Sequence, residues 1–128
     1  AVCCLYATAP LVRASDLRKG HDLLNKSDVQ YVFSATSFPF PIQRAIKLDN
    51  SGSVSMFSPE NELVRSQDLE EAYHDAGQFY WGRSEAFLTK LSVFSPHSKV
   101  VLLPRSRVQD IDTLEDWVSA EHLFSIMQ

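Results

Sequence analysis

The sequence predicts an α/β protein in which apolar strands alternate with amphipathic helices. Two observations predict this class. An apolar run at residues 2–7 precedes leucines at helical spacing over 16–26, and a second apolar run follows at 29–34. Strand, helix and strand in that order are typical of a sheet covered by crossover helices. A further apolar run at 99–103 and a closing helical pattern at 113–127 extend the arrangement.

The predictions of the first strand and of the helix starts depend on local sequence signals. Because the first run is continuously apolar, it predicts a strand covered on both faces and favours a parallel one. Neighbouring Cys3 and Cys4 point to opposite faces of such a strand, so we expect two reduced core cysteines. Ser15 and Ser84 are predicted N-caps, the second for a helix over 84–91.

The middle of the chain leaves the predicted sheet. The segment FPFP at 38–41 fits neither a helix interior nor a central strand, because proline lacks the amide donor. Alternation at 42–48, a turn at 49–52 and an answering strand at 53–57 predict a β-hairpin. A strand at 77–81 then returns to the sheet, and no linker separates these elements.

Composition limits the classes of function. The chain has 128 residues, 45% hydrophobic and 22% charged, which predicts one compact domain. Twelve Lys+Arg against sixteen Asp+Glu give a net charge of −4, which argues against binding nucleic acid or an anionic membrane by charge. No apolar stretch reaches membrane-spanning length, and no signal-peptide pattern is present. We therefore expect a cytoplasmic protein whose partners are small molecules or proteins.

Several catalytic motifs are absent from the sequence. With only four glycines, it contains neither GxGxxG nor GxxxxGK[ST], so no loop of this chain is predicted to cradle phosphates. The four histidines are scattered without metal-ligand spacing, and no GxSxG elbow is present. If the protein binds a nucleotide, we expect the phosphate loop to lie outside this sequence.

The segment VQDIDTLEDW is the first candidate site. Asp110 and Asp112 alternate just beyond a buried strand, where both carboxylates can face one side and hold a hard cation such as Mg²⁺. Helix capping is the competing explanation, because Asp112 or Thr113 with an acidic residue three positions later spells a capping box. Capping leaves Asp110 unexplained.

A second cluster of polar residues lies between 65 and 80. Together, Arg65, Gln67, His74 and Tyr80 are side-chain types suited to an acidic, hydroxyl-rich ligand. The alternative is a solvated loop with a surface salt bridge. Three hairpin residues could face the same pocket: Gln43, Arg44 and Lys47.

Four blocks of the sequence, in order, resemble the acylneuraminate cytidylyltransferases, the CMP-sialic acid synthetases. They are LYATAPL, FPFPIQRAIKL, RSQDLEEAYHDAGQFYWGR and RVQDIDTLEDW. Within this family, the four blocks resemble the branch that acts on pseudaminate. The resemblance implies a Rossmann-like nucleotide-diphospho-sugar transferase core with a mixed sheet. It also implies transfer of CMP from CTP to the anomeric hydroxyl of a nine-carbon acidic sugar, with Mg²⁺ assistance and release of pyrophosphate.

The resemblance assigns roles to individual residues. Asp110 and Asp112 match the metal-binding aspartates, and Arg65 matches an arginine beside the sugar carboxylate; these three are the predicted catalytic residues. The predicted substrate-binding residues are Tyr6, Thr8, Gln67, Gln78 and Tyr80. Tyr6 replaces the glutamine of the common sialate synthetases, and Gln78 also departs from their pattern. Both departures fall at the sugar, so sialate and legionaminate stay open beside pseudaminate.

The resemblance also bears on organisation and partners. Residues 38–73 resemble a dimerisation subdomain, so the family implies a homodimer. The CTP-binding half of the family is expected before residue 1, which makes this chain resemble an incomplete, C-terminal portion of the enzyme. The alternative of another class is a non-catalytic dimerising fragment that cannot bind CTP alone.

Overall fold

The computed structural model describes residues 1–127, which form two compact units. The larger unit combines residues 1–36 with the chain from residue 75 onward, and the smaller unit is Ser37–His74. The elements in order are β1 (Val2–Leu5), α1 (Ala14–Lys26), β2 (Tyr31–Ser37), β3 (Ile46–Leu48), β4 (Val54–Met56), β5 (Tyr73–Gly82), α2 (Ser84–Leu88), β6 (Ser98–Leu102) and α3 (Leu114–Ile126).

A mixed four-stranded sheet organises the larger unit, with strand order β1-β5-β2-β6. β2 and β6 are parallel, pairing Tyr31 with Ser98, whereas β1 and β5 are antiparallel, pairing Cys4 with Tyr80. With the separate β3-β4 hairpin and the flanking helices, this arrangement confirms the predicted α/β class.

The core of the larger unit lies between α1 and the sheet. Leu24 of α1, Val32 of β2 and Phe79 of β5 are all fully buried in one cluster. α1 approaches the sheet closely at Gly20, where a Cβ atom would lie 2.8 Å from Cδ1 of Trp81. The Trp81 indole N–H donates to the Leu17 carbonyl at 3.0 Å, which joins the helix to β5.

The first strand differs from its prediction. β1 is an antiparallel strand at the end of the described sheet, and Val2 and Leu5 are about half exposed. Cys3 is half-buried and Cys4 is exposed, and both are free thiols, so Cys4 is not a core residue. An apolar run indicates burial but cannot show which strand pairs with it or in which direction.

The predicted helix starts are partly wrong. α1 begins at Ala14 after Arg13, and α2 begins at Ser84 after Arg83, so neither Ser15 nor Ser84 is the N-cap. α2 also ends at Leu88, before the predicted position. No side-chain hydrogen bond caps either helix.

The start of α3 carries the capping box that the sequence predicts. The Asp116 amide donates to Oγ1 of Thr113 at 3.2 Å, and Oδ2 of Asp116 accepts from the Thr113 amide at 2.9 Å. The hydrogen bond from the Thr113 hydroxyl, followed by those from the Thr113 and Asp112 amides, holds the pKa of Asp116 below its usual value. Capping therefore accounts for Thr113 and Asp116 and leaves both earlier aspartates available.

Replacing Thr113 by alanine is expected to lower the free energy of unfolding by about 1 kcal/mol, because the start of α3 loses its side-chain acceptor. Urea denaturation measures the change. Ser119→Ala, in the interior of the same helix, is the matched control and is expected to stay within about 0.5 kcal/mol of wild type. Equal losses in the two variants would contradict a role for the cap.

The smaller unit is built around the β3-β4 hairpin. The register pairs Ile46 with Met56 and Leu48 with Val54, so these four apolar side chains share one face. The turn is held by Asp49, whose Oδ1 accepts from the Ser51 amide at 2.8 Å. The predicted first arm is shorter than expected, since a 3₁₀ turn occupies Ile42–Arg44. Two further 3₁₀ turns occupy Pro59–Asn61 and Ser66–Asp68.

Candidate functional site

Two tyrosines and an aspartate form a polar cluster at the junction of β1 and β5. The rings of Tyr6 and Tyr80 lie 5.3 Å apart, and the Tyr80 hydroxyl donates to Oδ2 of Asp75. Tyr80 also stacks on Phe33 of β2, at 6.0 Å between centroids. The structure thus brings together the predicted residues Tyr6 and Tyr80 and adds Asp75, which was not among the predicted site residues.

The electrostatics of this cluster keep Tyr80 protonated. Burial raises the pKa of Tyr80 most strongly, and its hydrogen bonds with Asp75 and Tyr6 raise it further. Tyr80 therefore acts as a neutral hydrogen-bonding group. It is not a source of phenolate.

The raised pKa of Tyr80 predicts how the stability of the protein changes at alkaline pH. A tyrosine with a raised pKa contributes stability that is fully present below the ordinary pKa of about 10 and is lost as the pH rises beyond it, because only the unfolded chain then ionises. Tyr80→Phe is expected to weaken the loss of stability between about pH 9 and pH 11. Urea denaturation across this range measures the slope, and an unchanged slope would contradict the assignment.

Gly77 connects the tyrosine cluster to the aspartate segment. Its φ of 62° lies in the left-handed region that favours glycine, and its amide donates to Oδ1 of Asp75 at 2.8 Å. A Cβ atom built on Gly77 would lie 3.7 Å from Oδ1 of Asp110. The carboxylates of Asp75 and Asp110 therefore both lie beside Gly77.

Asp110 and Asp112 are exposed on the segment that joins β6 to α3. Oδ1 of Asp110 accepts from the Ile111 amide at 3.1 Å, while the Asp112 amide donates to Asp116. Ile111, between them, lines an apolar groove of about 420 Å³ with five other residues: Pro10, Trp117, Ala120, Glu121 and Phe124.

This donor set suits magnesium. Residues 1–127 contain no group of three or more metal-ligating side chains, so protein ligation here would come from one or two carboxylates. Mg²⁺ is characteristically held that way, with water and substrate phosphates completing its coordination. Asp110 and Asp112 thus have the right chemistry for a magnesium ion bound together with a triphosphate.

Gln78 and Thr8 occupy contrasting environments. Gln78 is buried, and its Nε2 donates to the Arg107 carbonyl at 2.6 Å. Thr8 is exposed in the turn after β1. Both remain predicted substrate-binding residues.

A buried ion pair joins α1 to the segment that leads to Asp110. Nη1 of Arg107 lies 2.5 Å from Oδ2 of Asp16 in α1, and both side chains are almost completely buried. The Arg107 carbonyl also accepts a hydrogen bond from the side-chain amide of Gln78. Arg107 therefore links α1, β5 and the segment leading to Asp110.

The predicted residues of the smaller unit have local partners. Arg65 pairs with Asp68 through Nε and Oδ2 at 2.8 Å, and both side chains are largely exposed. This is the surface salt bridge considered above as an alternative. Gln67 lines a cavity of about 290 Å³ that also contains Glu70 and Glu71.

The three hairpin residues also have local partners. Gln43 donates from Nε2 to the Glu70 carbonyl at 2.8 Å, and Arg44 donates to the Val64 carbonyl. Nζ of Lys47 lies 5.5 Å from the centre of the Phe57 ring. These contacts stabilise the smaller unit itself.

Sequence reasoning assigned no role to four residues around the cluster, and the sequence signals for them differ in strength. Asp75 and Gly77 form an Asp-x-Gly pattern, which is a signal for a turn held by the aspartate side chain. Asp16 and Arg107 lie 91 positions apart, so no local pattern joins them. Their pairing follows only from the packing of α1.

Comparison with known proteins shows which proteins this α/β chain is similar to. It is 46% identical over 125 residues to a pseudaminic acid cytidylyltransferase of Campylobacter jejuni, a match covering 98% of the chain and 54% of the relative; the protein of a second strain matches equally. No known protein-family model matches the sequence. This similarity to cytidylyltransferases confirms the resemblance noted above.

The names of the matched relatives specify the sugar as well as the reaction. The Campylobacter proteins are pseudaminic acid cytidylyltransferases, and the chain spans about half of their length. A Helicobacter pylori protein named as both a pseudaminic acid cytidylyltransferase and a UDP-2,4-diacetamido-2,4,6-trideoxy-beta-L-altropyranose hydrolase is 36% identical over 110 residues. That match covers 85% of this chain and 21% of the relative. None of the described helices is long and apolar enough to cross a membrane.

Proposed function

We propose that this chain is part of a cytidylyltransferase that transfers CMP from CTP to pseudaminate and releases pyrophosphate. The observation that carries the proposal is 46% identity to pseudaminic acid cytidylyltransferases across almost the whole chain. The Tyr6–Tyr80 pair and the exposed aspartates supply groups suited to a sugar and to a phosphate-bound cation.

In the proposed reaction the anomeric oxygen of the sugar attacks the α-phosphorus of CTP, and the bond to pyrophosphate breaks. Asp110 and Asp112 would hold Mg²⁺, which supplies positive charge to the triphosphate when bound. Tyr6 and Tyr80 orient the sugar through their hydroxyls. Arg65 and Gln67 are proposed to bind its acidic end, for which Arg65 would exchange Asp68 for the sugar carboxylate.

Pyrophosphate release by the full-length protein tests this function. With CTP and Mg²⁺, kcat/KM for pseudaminate is expected to exceed that for sialate and for legionaminate by at least about tenfold. Equal turnover of sialate would contradict the sugar assignment, and no release with any of the three would contradict the reaction. Calorimetry of the 128-residue chain with CTP and Mg²⁺ is expected to show no binding, whereas binding would show that this portion holds the nucleotide by itself.

We also propose that the hairpin mediates a homodimer. The apolar hairpin face leaves Ile46, Leu48 and Val54 between 55% and 64% exposed, and such a face is typical of an interaction surface. The opposite face carries Lys47 paired with Ser55.

Leu48→Asp is expected to raise the dissociation constant of the proposed dimer at least about tenfold, because it places a charge in an apolar contact. Light scattering during size-exclusion chromatography measures the mass of the full-length protein across a dilution series. Ser55→Asp on the opposite face is the control and should leave the mass unchanged. A monomeric wild type, or a dimer indifferent to Leu48→Asp, would contradict this interface.

A further inference from the structure

α3 carries an apolar surface that the rest of the described chain leaves open. Among the 13 residues of this helix, all of which the structure describes, only Ala120 is buried. Four large apolar side chains of α3 are between 47% and 80% exposed: Leu114, Trp117, Phe124 and Ile126. Single exposed apolar residues are common, but a cluster of them on one short helix is typical of a surface that packs against something else.

Two of these side chains form one wall of the apolar groove described above. Trp117 and Phe124 are seven positions apart, which places them on the same side of α3. Together with Pro10 and Ile111 they line a cavity of about 420 Å³ within the larger unit. Ile111 lies between the two predicted magnesium ligands in the chain, so the groove adjoins that site.

The length of the relatives indicates what fills this groove. Almost the whole chain aligns with the Campylobacter proteins but covers only 54% of their length, so about half of each relative has no counterpart here. The sequence contains no glycine-rich phosphate loop, although Asp110 and Asp112 suit a cation bound to a triphosphate. A part of the full-length protein that holds the triphosphate has to lie close to these aspartates, and the groove is an apolar surface at that place.

We propose that this groove is the docking surface for the nucleotide-holding portion of the full-length protein, which lies outside these 128 residues. By packing on Trp117 and Phe124, that portion brings the CTP phosphates to the two aspartates. The inference rests on the proposed function and deepens it, since it assigns the contact through which two parts of the protein form one site. Removal of apolar surface from water drives packing of this kind. A second copy of the chain is the competing occupant, but the proposed dimer uses the β3-β4 hairpin, a different surface.

Thiol labelling of the purified full-length protein tests the docking. Glu121 lines the groove, whereas the next residue, His122, is exposed and lies about 100° further round the helix. Because Glu121→Cys leaves the apolar contacts in place, it reports on the groove, and His122→Cys is the matched control. With each rate normalised to the same variant unfolded in urea, a maleimide is expected to modify Glu121→Cys at least about tenfold more slowly than His122→Cys. Mass spectrometry of the peptide that contains the introduced cysteine measures each rate.

The labelling outcomes identify the occupant. Protection of Glu121→Cys that persists when light scattering shows a monomer is the expected result. Equal labelling of the two cysteines would overturn the docking surface. Protection that disappears on dilution to the monomer would place a second copy in the groove and would overturn the proposal as well.

A second experiment connects the groove to the nucleotide. Trp117→Asp in the full-length enzyme is expected to raise KM for CTP at least about tenfold, because a charge in the apolar contact releases the docked portion. It should also bring the labelling of Glu121→Cys up to the rate of the control. His122→Asp should leave both values unchanged. An unchanged KM for CTP in Trp117→Asp would overturn the link between the docked portion and the phosphates. If Trp117→Asp does not fold, the labelling of Glu121→Cys alone decides the proposal.

Failure of this inference can be told apart from failure of the proposed function. If wild-type enzyme turns over pseudaminate and Glu121→Cys is labelled like its control, the docking surface is overturned and the function stands. If wild-type enzyme releases no pyrophosphate with any of the three sugars, the function is overturned together with the placement of the CTP phosphates. The labelling then still shows whether the groove is occupied, because it needs no turnover.

Discussion

Replacing Asp112 by asparagine is expected to lower kcat of the full-length enzyme by about 10²–10³-fold, comparable to the loss of one electrostatic contact to a transition state. Asparagine keeps the shape of the side chain and removes its charge. The capping contacts of α3 use the Asp112 amide and the Asp116 carboxylate, so the substitution leaves the start of the helix intact. A change in rate would then report on the proposed magnesium ligand.

The measurement is pyrophosphate release at several Mg²⁺ concentrations. Asp112→Asn should also raise the Mg²⁺ concentration needed for half-maximal rate. Glu115→Gln, which changes an exposed carboxylate three positions further on in α3, is the matched control and should retain wild-type turnover. Unchanged turnover of Asp112→Asn would remove this aspartate from the proposed site.

The fold could be predicted from the sequence where the signals are local. Apolar runs located β2, β5 and β6 to within a few residues, and the capping pattern placed the start of α3 at Thr113. The direction and edge position of β1 could not be predicted, because they depend on β5, more than seventy positions away. The starts of α1 and α2 were misplaced, and neither helix has a side-chain hydrogen bond at its N-cap.

The candidate site was predictable to a similar degree. Tyr6 and Tyr80 were singled out by resemblance, and their contact depends on the pairing of β1 with β5. Asp75 joins the same cluster through the hydrogen bond from Tyr80, five positions along β5, and Gly77 lies between them with a positive φ. A surface salt bridge was the alternative expected for this loop, and the structure forms it between Arg65 and Asp68, three positions away.

Arg107 illustrates why long-range support escapes sequence reasoning. Its guanidinium pairs with buried Asp16 of α1, while its carbonyl accepts from Gln78 of β5. One residue therefore holds together three separate elements of the larger unit. Nothing in the charge pattern around Arg105 and Arg107 distinguishes the buried arginine from its neighbour.

Arg107→Met is expected to lower the free energy of unfolding by about 3–5 kcal/mol, because it leaves the Asp16 carboxylate buried without its cationic partner. Urea denaturation of the purified protein measures the loss. The double variant Asp16→Leu with Arg107→Met should recover most of it, since an apolar pair of similar volume replaces the ion pair without an uncompensated charge. Arg18→Met, on the exposed face of α1, is the control and should cost less than about 0.5 kcal/mol. A double variant as unstable as Arg107→Met alone would show that packing of the arginine stem, and not its charge, holds α1 against the sheet.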